Sequence, residues 1–151
     1  MSRRRDEWIR RIRDVEQEGV VADIALESLR GELNRDSAFL TKQGLNRANF
    51  NDCTEYREAT YAIRMFAVFE NGLREARRAI QGHPTRAPVV ALLNWFASRC
   101  AIESDLLVAA HTVRVLRNFH VHDGSELHEA VTLEQCRRHL CRFFSKLPES
   151  W

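Results

Sequence analysis

The chain has 151 residues, 44% hydrophobic and 29% charged, with 23 lysines and arginines against 21 acids. This fits one soluble domain with a real core, and no apolar stretch approaches the roughly 18 to 20 uninterrupted residues that span a bilayer. The net charge of +2 is too small to mark a nucleic-acid-binding protein by itself, so any surface for a polyanion must come from local clustering of charge.

Met1-Ser2-Arg3-Arg4-Arg5 begins like the basic region of a signal peptide. Trp8-Ile9 then runs straight into Arg10-Arg11, so no apolar leader segment develops and a cytoplasmic protein is expected. Trp8, Ile12, Val15, Gly19, Ala22, Leu26, Leu29 and Leu33 follow alternating steps of four and three, an apolar stripe on one helix face. Gly19 interrupts it at a cost of about 1 kcal/mol relative to alanine. It marks either a close helix crossing or a break in a helix of roughly 39 Å.

Asn34-Arg35-Asp36-Ser37 supplies capping residues, which places a short helix over 37–43. Residues 44–52 are dense in turn formers and read as a loop. A second long helix is expected from Thr54, with Ala62, Phe66, Phe69, Leu73, Ala76 and Ile80 on its core face and Gly82-His83-Pro84 as its stop. Val89, Leu92, Leu93 and Phe96 form a third apolar patch. The next run places Leu106, Ala109, Val113, Leu116 and His120 on one stripe, with Ser104 available as a cap. Thr132-Leu133-Glu134-Gln135 resembles a capping box that opens an amphipathic helix carrying Leu133, Cys136, Leu140, Phe143 and Leu147. No segment alternates with period two for long enough to argue a sheet. The expected fold is all-α: one antiparallel bundle of about five helices over 1–151, with 1–53 as an N-terminal helical extension packing on a 54–151 core.

The chemistry concentrates in Arg117-Asn118-Phe119-His120-Val121-His122, where the apolar run meets Asp123-Gly124. On an ideal helix Arg117 and His122 stand about 140° apart, so they share a face only if the helix loosens or ends between them. Asp-Gly favours a turn, which would let His122 swing toward the guanidinium. A histidine at a helix C-terminus also feels the negative end of the helix dipole. A rival register pairs Arg114 with His120. His120 continues the apolar stripe toward burial or a partner subunit, which favours Arg117 with His122.

Arg117-Asn118-x-x-x-His122 resembles the signature of the HEPN superfamily, all-helical domains of which many are metal-independent ribonucleases in toxin, abortive-infection and CRISPR-associated systems. The likeness covers six residues, with a weaker match to the family's bundle layout from about Thr54 onward. It implies RNA as substrate, no cofactor or metal, and a homodimer that brings two copies of the motif together. In that arrangement His122 is the acid or base and Arg117 stabilises the charge developing on the phosphorane. Asn118 orients the histidine or a phosphate oxygen, and the product is a 2′,3′-cyclic phosphate with a 5′-hydroxyl. Glu70 stands where such domains often carry a polar residue facing the site, with a surface glutamate or a structural ion pair as the other reading, and His120 is a supporting candidate. An antitoxin or defence partner protein is implied as well. Where toxins of one branch carry a tyrosine two residues past the motif histidine for modification by a nucleotidyltransferase, this chain has Gly124, so that regulation is not assumed.

Other features read more plainly. Arg3, Arg4, Arg5, Arg10, Arg11 and Arg13 interleave with Asp6, Glu7, Asp14 and Glu16, the pattern of a solvated helix face. Arg74, Arg77 and Arg78 read the same way. Cys136 and His139, with His120 or His128, lack the tight paired spacing of structural zinc. Cys136 and Cys141 stand about 140° apart on a helix and cannot bridge locally, so free thiols in a reducing compartment are expected. Trp95, Phe96, Phe143 and Phe144 read as core or dimer interface. Against the ribonuclease stands a noncatalytic helical module that binds nucleotide, RNA or a protein partner through the same electropositive notch.

Overall fold

The computed structural model describes residues 4–122 and 130–151. Six helices follow in order: α1 (Arg5–Arg35), α2 (Phe39–Lys42), α3 (Arg47–Gln81), α4 (Val89–Arg99), α5 (Ser104–His122) and α6 (Leu133–Phe144), with no strand among the described residues. The molecule is the all-α bundle the periodicity implies, its shortest helix a single turn. Helix α3 is the central wall and touches α1, α4, α5 and α6. It runs antiparallel to α1, because the ion pairs Glu18–Arg64 and Asp23–Arg57 take the two helices in opposite order.

Helix α1 is continuous through Gly19, which settles its two readings as a close crossing. A Cβ there would lie 2.7 Å from Leu133 Cδ2 and 3.4 Å from the Tyr61 ring. Trp8, Ile12 and Val15 join the main core, while Leu33 forms a smaller cluster with Leu40 of α2 and Phe50 of α3. Ala22 is half-buried, and the half-buried Leu26 and Leu29 pack against the smaller cluster.

Helix α3 begins at Arg47, seven residues before the expected Thr54, so most of the anticipated loop is helical. Asn46 and Asn49 make a reciprocal cap: the Asn49 backbone N–H donates to Asn46 Oδ1 at 3.0 Å, and the Asn46 N–H donates to Asn49 Oδ1 at 3.0 Å. Asparagine favours turns and caps for the same reason, a short side chain that bonds nearby backbone, and here capping wins because Phe50 gains burial. The helix stops at Gly82 in the left-handed region, φ 77°.

Helices α4 and α5 are separated by a tight turn in which Ala101 is also left-handed, φ 49°. Ile102 N–H reaches back to the Ala97 carbonyl at 2.9 Å, and the buried Ile102 side chain fastens the turn. On α5 the buried line is Leu106, Ala110, Val113 and Leu116, with Ala109 only half-buried. Helix α6 opens with the expected capping box, Thr132 with Gln135, and buries Leu133, Cys136, Leu140 and Phe143, with Leu147 just beyond its end. Arg5 then closes that end, its Nη1 donating to the carbonyls of Ser145 and Leu147 at 3.1 and 3.0 Å.

Two glycines give opposite expectations from these contacts. Replacing a helical glycine by alanine gains about 1 kcal/mol in propensity. At Gly31 the nearest atom to the new Cβ is the Arg35 guanidinium at 3.9 Å, so Gly31→Ala should keep that gain in stability and raise the denaturation midpoint. At Gly72 the Cβ would lie 2.8 Å from the Phe144 ring and 2.9 Å from Trp8, both buried. Overpacking of about 1–3 kcal/mol outweighs the gain, so Gly72→Ala should lower the midpoint. Urea titration of the pair checks both signs.

Candidate functional site on helix α5

From Leu106 to His122 helix α5 carries no carboxylate, and its outward face collects polar groups. His111, Arg114, Asn118 and His122 succeed one another in steps of three, four and four, which sets them on one face of the helix, opposite the buried line. His122 is exposed and Asn118 half-buried.

The helix continues through Val121 and His122, so it does not break between Arg117 and His122. Residues 117–122 contain no glycine or proline that would end it, and the pair stays about 140° apart within one chain. The Asp123-Gly124 terminator falls outside the described residues, as does His128. The rival pair fares no better, since Arg114 and His120 are about 120° apart on the same lattice.

Each candidate has a definite setting. Arg117 is half-buried and donates from Nη1 to Asn118 Oδ1 at 2.9 Å, so Asn118 positions the guanidinium and keeps its own amide N–H groups for another acceptor. His120 lies past the end of the buried line and is exposed, with its ring edge-on to Phe119 at 5.3 Å between centroids. Glu70 is engaged by Arg74, whose Nε and Nη2 lie 3.1 and 2.5 Å from Oε1. The same guanidinium donates to the carbonyls of Thr85 and Ala87, so the pair holds the connection between α3 and α4.

His111 is a further candidate that apolar periodicity does not pick out. Arg114 Nε donates to its Nδ1 at 3.2 Å, which assigns the proton of the neutral ring to Nε2, directed at Asn94 Oδ1 of α4 at 3.5 Å. Its spacing from Arg114, Asn118 and His122 was the available signal. Burial lowers the His111 pKa from the ordinary 6.5, and the Arg114 charge acts in the same direction. The folded state therefore favours the neutral ring: the stability this contributes is complete above 6.5 and is lost as pH falls through the lowered folded value. His111→Gln should flatten the decline in melting temperature between about pH 7 and about pH 5 relative to the unsubstituted protein. Equal declines in the two would contradict this setting.

The remaining features lie elsewhere. All four cysteines are free. Burial, with a smaller contribution from Glu58, pushes the Cys136 thiol up to about 12, a neutral group inside the core rather than a thiolate ligand. No group of three or more His, Cys, Asp or Glu placed to hold a metal occurs among the described residues, and no helix among them is long and apolar enough to cross a membrane. Two clefts beside the first turn of α1 are lined by Arg4, Asp6, Glu7, Arg10, Glu149 and Ser150, with no residue of α5. In comparisons with family models, curated proteins and solved structures, nothing matches the chain.

Proposed function

We propose that the protein is a metal-independent endoribonuclease of the HEPN type, a toxin or defence effector in which two chains build one site. The observation that carries this reading is the end of α5, where an arginine positioned by its neighbouring asparagine precedes an exposed histidine on a helix without carboxylates beyond its first turn. Cleavage requires a base to take the 2′-hydroxyl proton as the 2′-oxygen attacks phosphorus. It also requires an acid to protonate the 5′-oxygen as its bond to phosphorus breaks, and positive charge against the phosphorane. One chain holds Arg117 and His122 on different faces, so a guanidinium from one protomer serves chemistry at the imidazole of the other. Phe119 and Val121, both exposed apolar side chains inside the motif, supply contact area for that meeting.

A second apolar patch, Val20, Val21 and Ile24 on α1, offers a competing dimer surface that would leave the motif single. Sedimentation of Phe119→Glu and Ile24→Glu separates the two, and the composite site requires that the first substitution, not the second, dissociates the dimer. The direct assay is RNA cleavage in EDTA with product analysis, expecting 2′,3′-cyclic phosphate and 5′-hydroxyl ends.

The unbroken helix favours one alternative, a noncatalytic RNA-binding or partner-binding module that keeps the notch without chemistry. A pure dimer that binds RNA and leaves it intact between about pH 6 and about pH 8, the range over which histidine changes charge, would establish that alternative.

A further inference from the structure

The near balance of charge over the whole chain conceals a strong local bias. Between Ala76 and His122 there are six arginines and four histidines against two acids, Glu103 and Asp105. Elsewhere arginines are commonly neutralised, as in Arg11–Glu7, Arg57–Asp23 and Arg137–Glu16. Among the described residues, Arg77, Arg99, Arg114 and Arg117 have no carboxylate within ion-pairing distance.

Three of these cations frame one surface. Helix α4 buries Leu92, Leu93 and Phe96 and exposes Ala91, Asn94 and Ser98 in steps of three and four, a low floor of small side chains. On one side stands Trp95 of α4 with two guanidinium groups over its ring, Arg77 at 5.1 Å and Arg99 at 5.4 Å. On the other side Asn94 meets His111, which is bonded to Arg114. Stacking on an aromatic ring orients a guanidinium; Arg77 gives its Nε to Gln81 Oε1 at 3.0 Å and Arg114 gives its Nε to His111, which leaves the Nη groups of both for phosphate.

We infer that this strip across α4, framed by Arg77 and Arg99 through Trp95 and by Arg114, binds the phosphate backbone of single-stranded RNA. The floor is one helix wide, about 10 Å, which suits a single strand better than a duplex. A strand leaving the strip at Arg114 continues along the same α5 face past Asn118 to His122, about 12 Å further on. The choice of RNA rests on the ribonuclease reading, whereas the polyanion strip rests on its own geometry.

The test uses a fully 2′-O-methylated single-stranded RNA, which lacks the attacking hydroxyl and cannot be cleaved by that route. Its affinity is read by fluorescence anisotropy between about 50 and about 200 mM salt, against a variant carrying Arg77→Gln, Arg99→Gln and Arg114→Gln. The expected result is affinity weakened roughly tenfold or more, with the slope of log K against log salt shallower by about 2, or about 0.7 for each phosphate no longer neutralised. Arg99→Gln alone, on an exposed side chain, should give about one third of that slope change and guards against misfolding of the triple variant. Arg64→Gln with Arg138→Gln, on α3 and α6, should change neither quantity. Unchanged affinity and slope in the triple variant, or no binding by the unsubstituted protein, overturns the strip. If natural RNA is cleaved and His122→Ala abolishes this while the strip variant binds normally, only the strip fails. If RNA stays intact but the slope change is found, the strip stands and the ribonuclease reading falls.

Discussion

Alanine at His122 is expected to slow RNA cleavage by about 10²- to 10⁴-fold, the span that a positioned acid or base contributes. On the ribonuclease reading Arg117 is the cation set against the phosphorane, and its replacement by alanine should cost about 10²- to 10³-fold. Neither loss should come from unfolding. His122 is exposed, and the half-buried Arg117 donates to its neighbour Asn118, so each substitution should stay within about 0.5 kcal/mol of the parent in stability. Arg117→Lys is a sharper probe, because it keeps the charge and loses the planar fork, and should recover only part of the rate. Asn118→Ala should fall between the parent and Arg117→Ala, since it releases a guanidinium that is still present. His120→Ala should remain within a few-fold of the parent and so separates the two registers. Initial rates on a fluorogenic RNA in EDTA, with end-group analysis, measure all of these. Parental rates in both His122→Ala and Arg117→Ala would remove this site from consideration.

How much of this was legible in the sequence depends on the range of the interaction concerned. The stripe of α1, the stop at Gly82 and the Thr132–Gln135 box are local, set by steps of three and four or by bonds across three residues. The start of α3 was obscured because Asn46 and Asn49 carry turn and cap propensity together, and the choice was decided by where Phe50 could be buried. Ala109 and Ala110 are chemically identical, so only packing against α6 and α3 selects Ala110 for the core. At the site, Arg117 and His122 could be picked out by type and spacing. Their relation could not, because it depends on whether the helix continues, and it does. Apolar periodicity does not pick out His111, although His111, Arg114, Asn118 and His122 obey the same rule on the opposite face. The ion pair of Glu70 with Arg74 follows from the i, i+4 spacing alone.

Phe69→Ala is expected to be the most damaging single substitution for the fold, costing about 3–5 kcal/mol. The Phe69 side chain is fully buried where α3 meets α6. Its ring centroid lies 5.7 Å from Phe66, 5.7 Å from Phe143 and 5.9 Å from Phe144, the latter two edge-on. The loss combines the transfer energy of an aromatic ring with a cavity that three rigid neighbours cannot collapse into. A domain of this size has only about 5–15 kcal/mol in total, so the variant should lose a large part of its margin. The ion pairs on the surface cannot compensate. Glu18–Arg64 and Glu27–Arg30 join well-exposed side chains and contribute about 0–1 kcal/mol each. Urea denaturation followed by circular dichroism should therefore show a large fall in midpoint for Phe69→Ala and a small one for Arg64→Gln. Comparable falls would mean that the aromatic junction is not what fixes α6 against α3. The same contrast separates support from chemistry: Phe69→Ala should lose cleavage in parallel with helical signal, whereas His122→Ala should lose it with the helical signal intact.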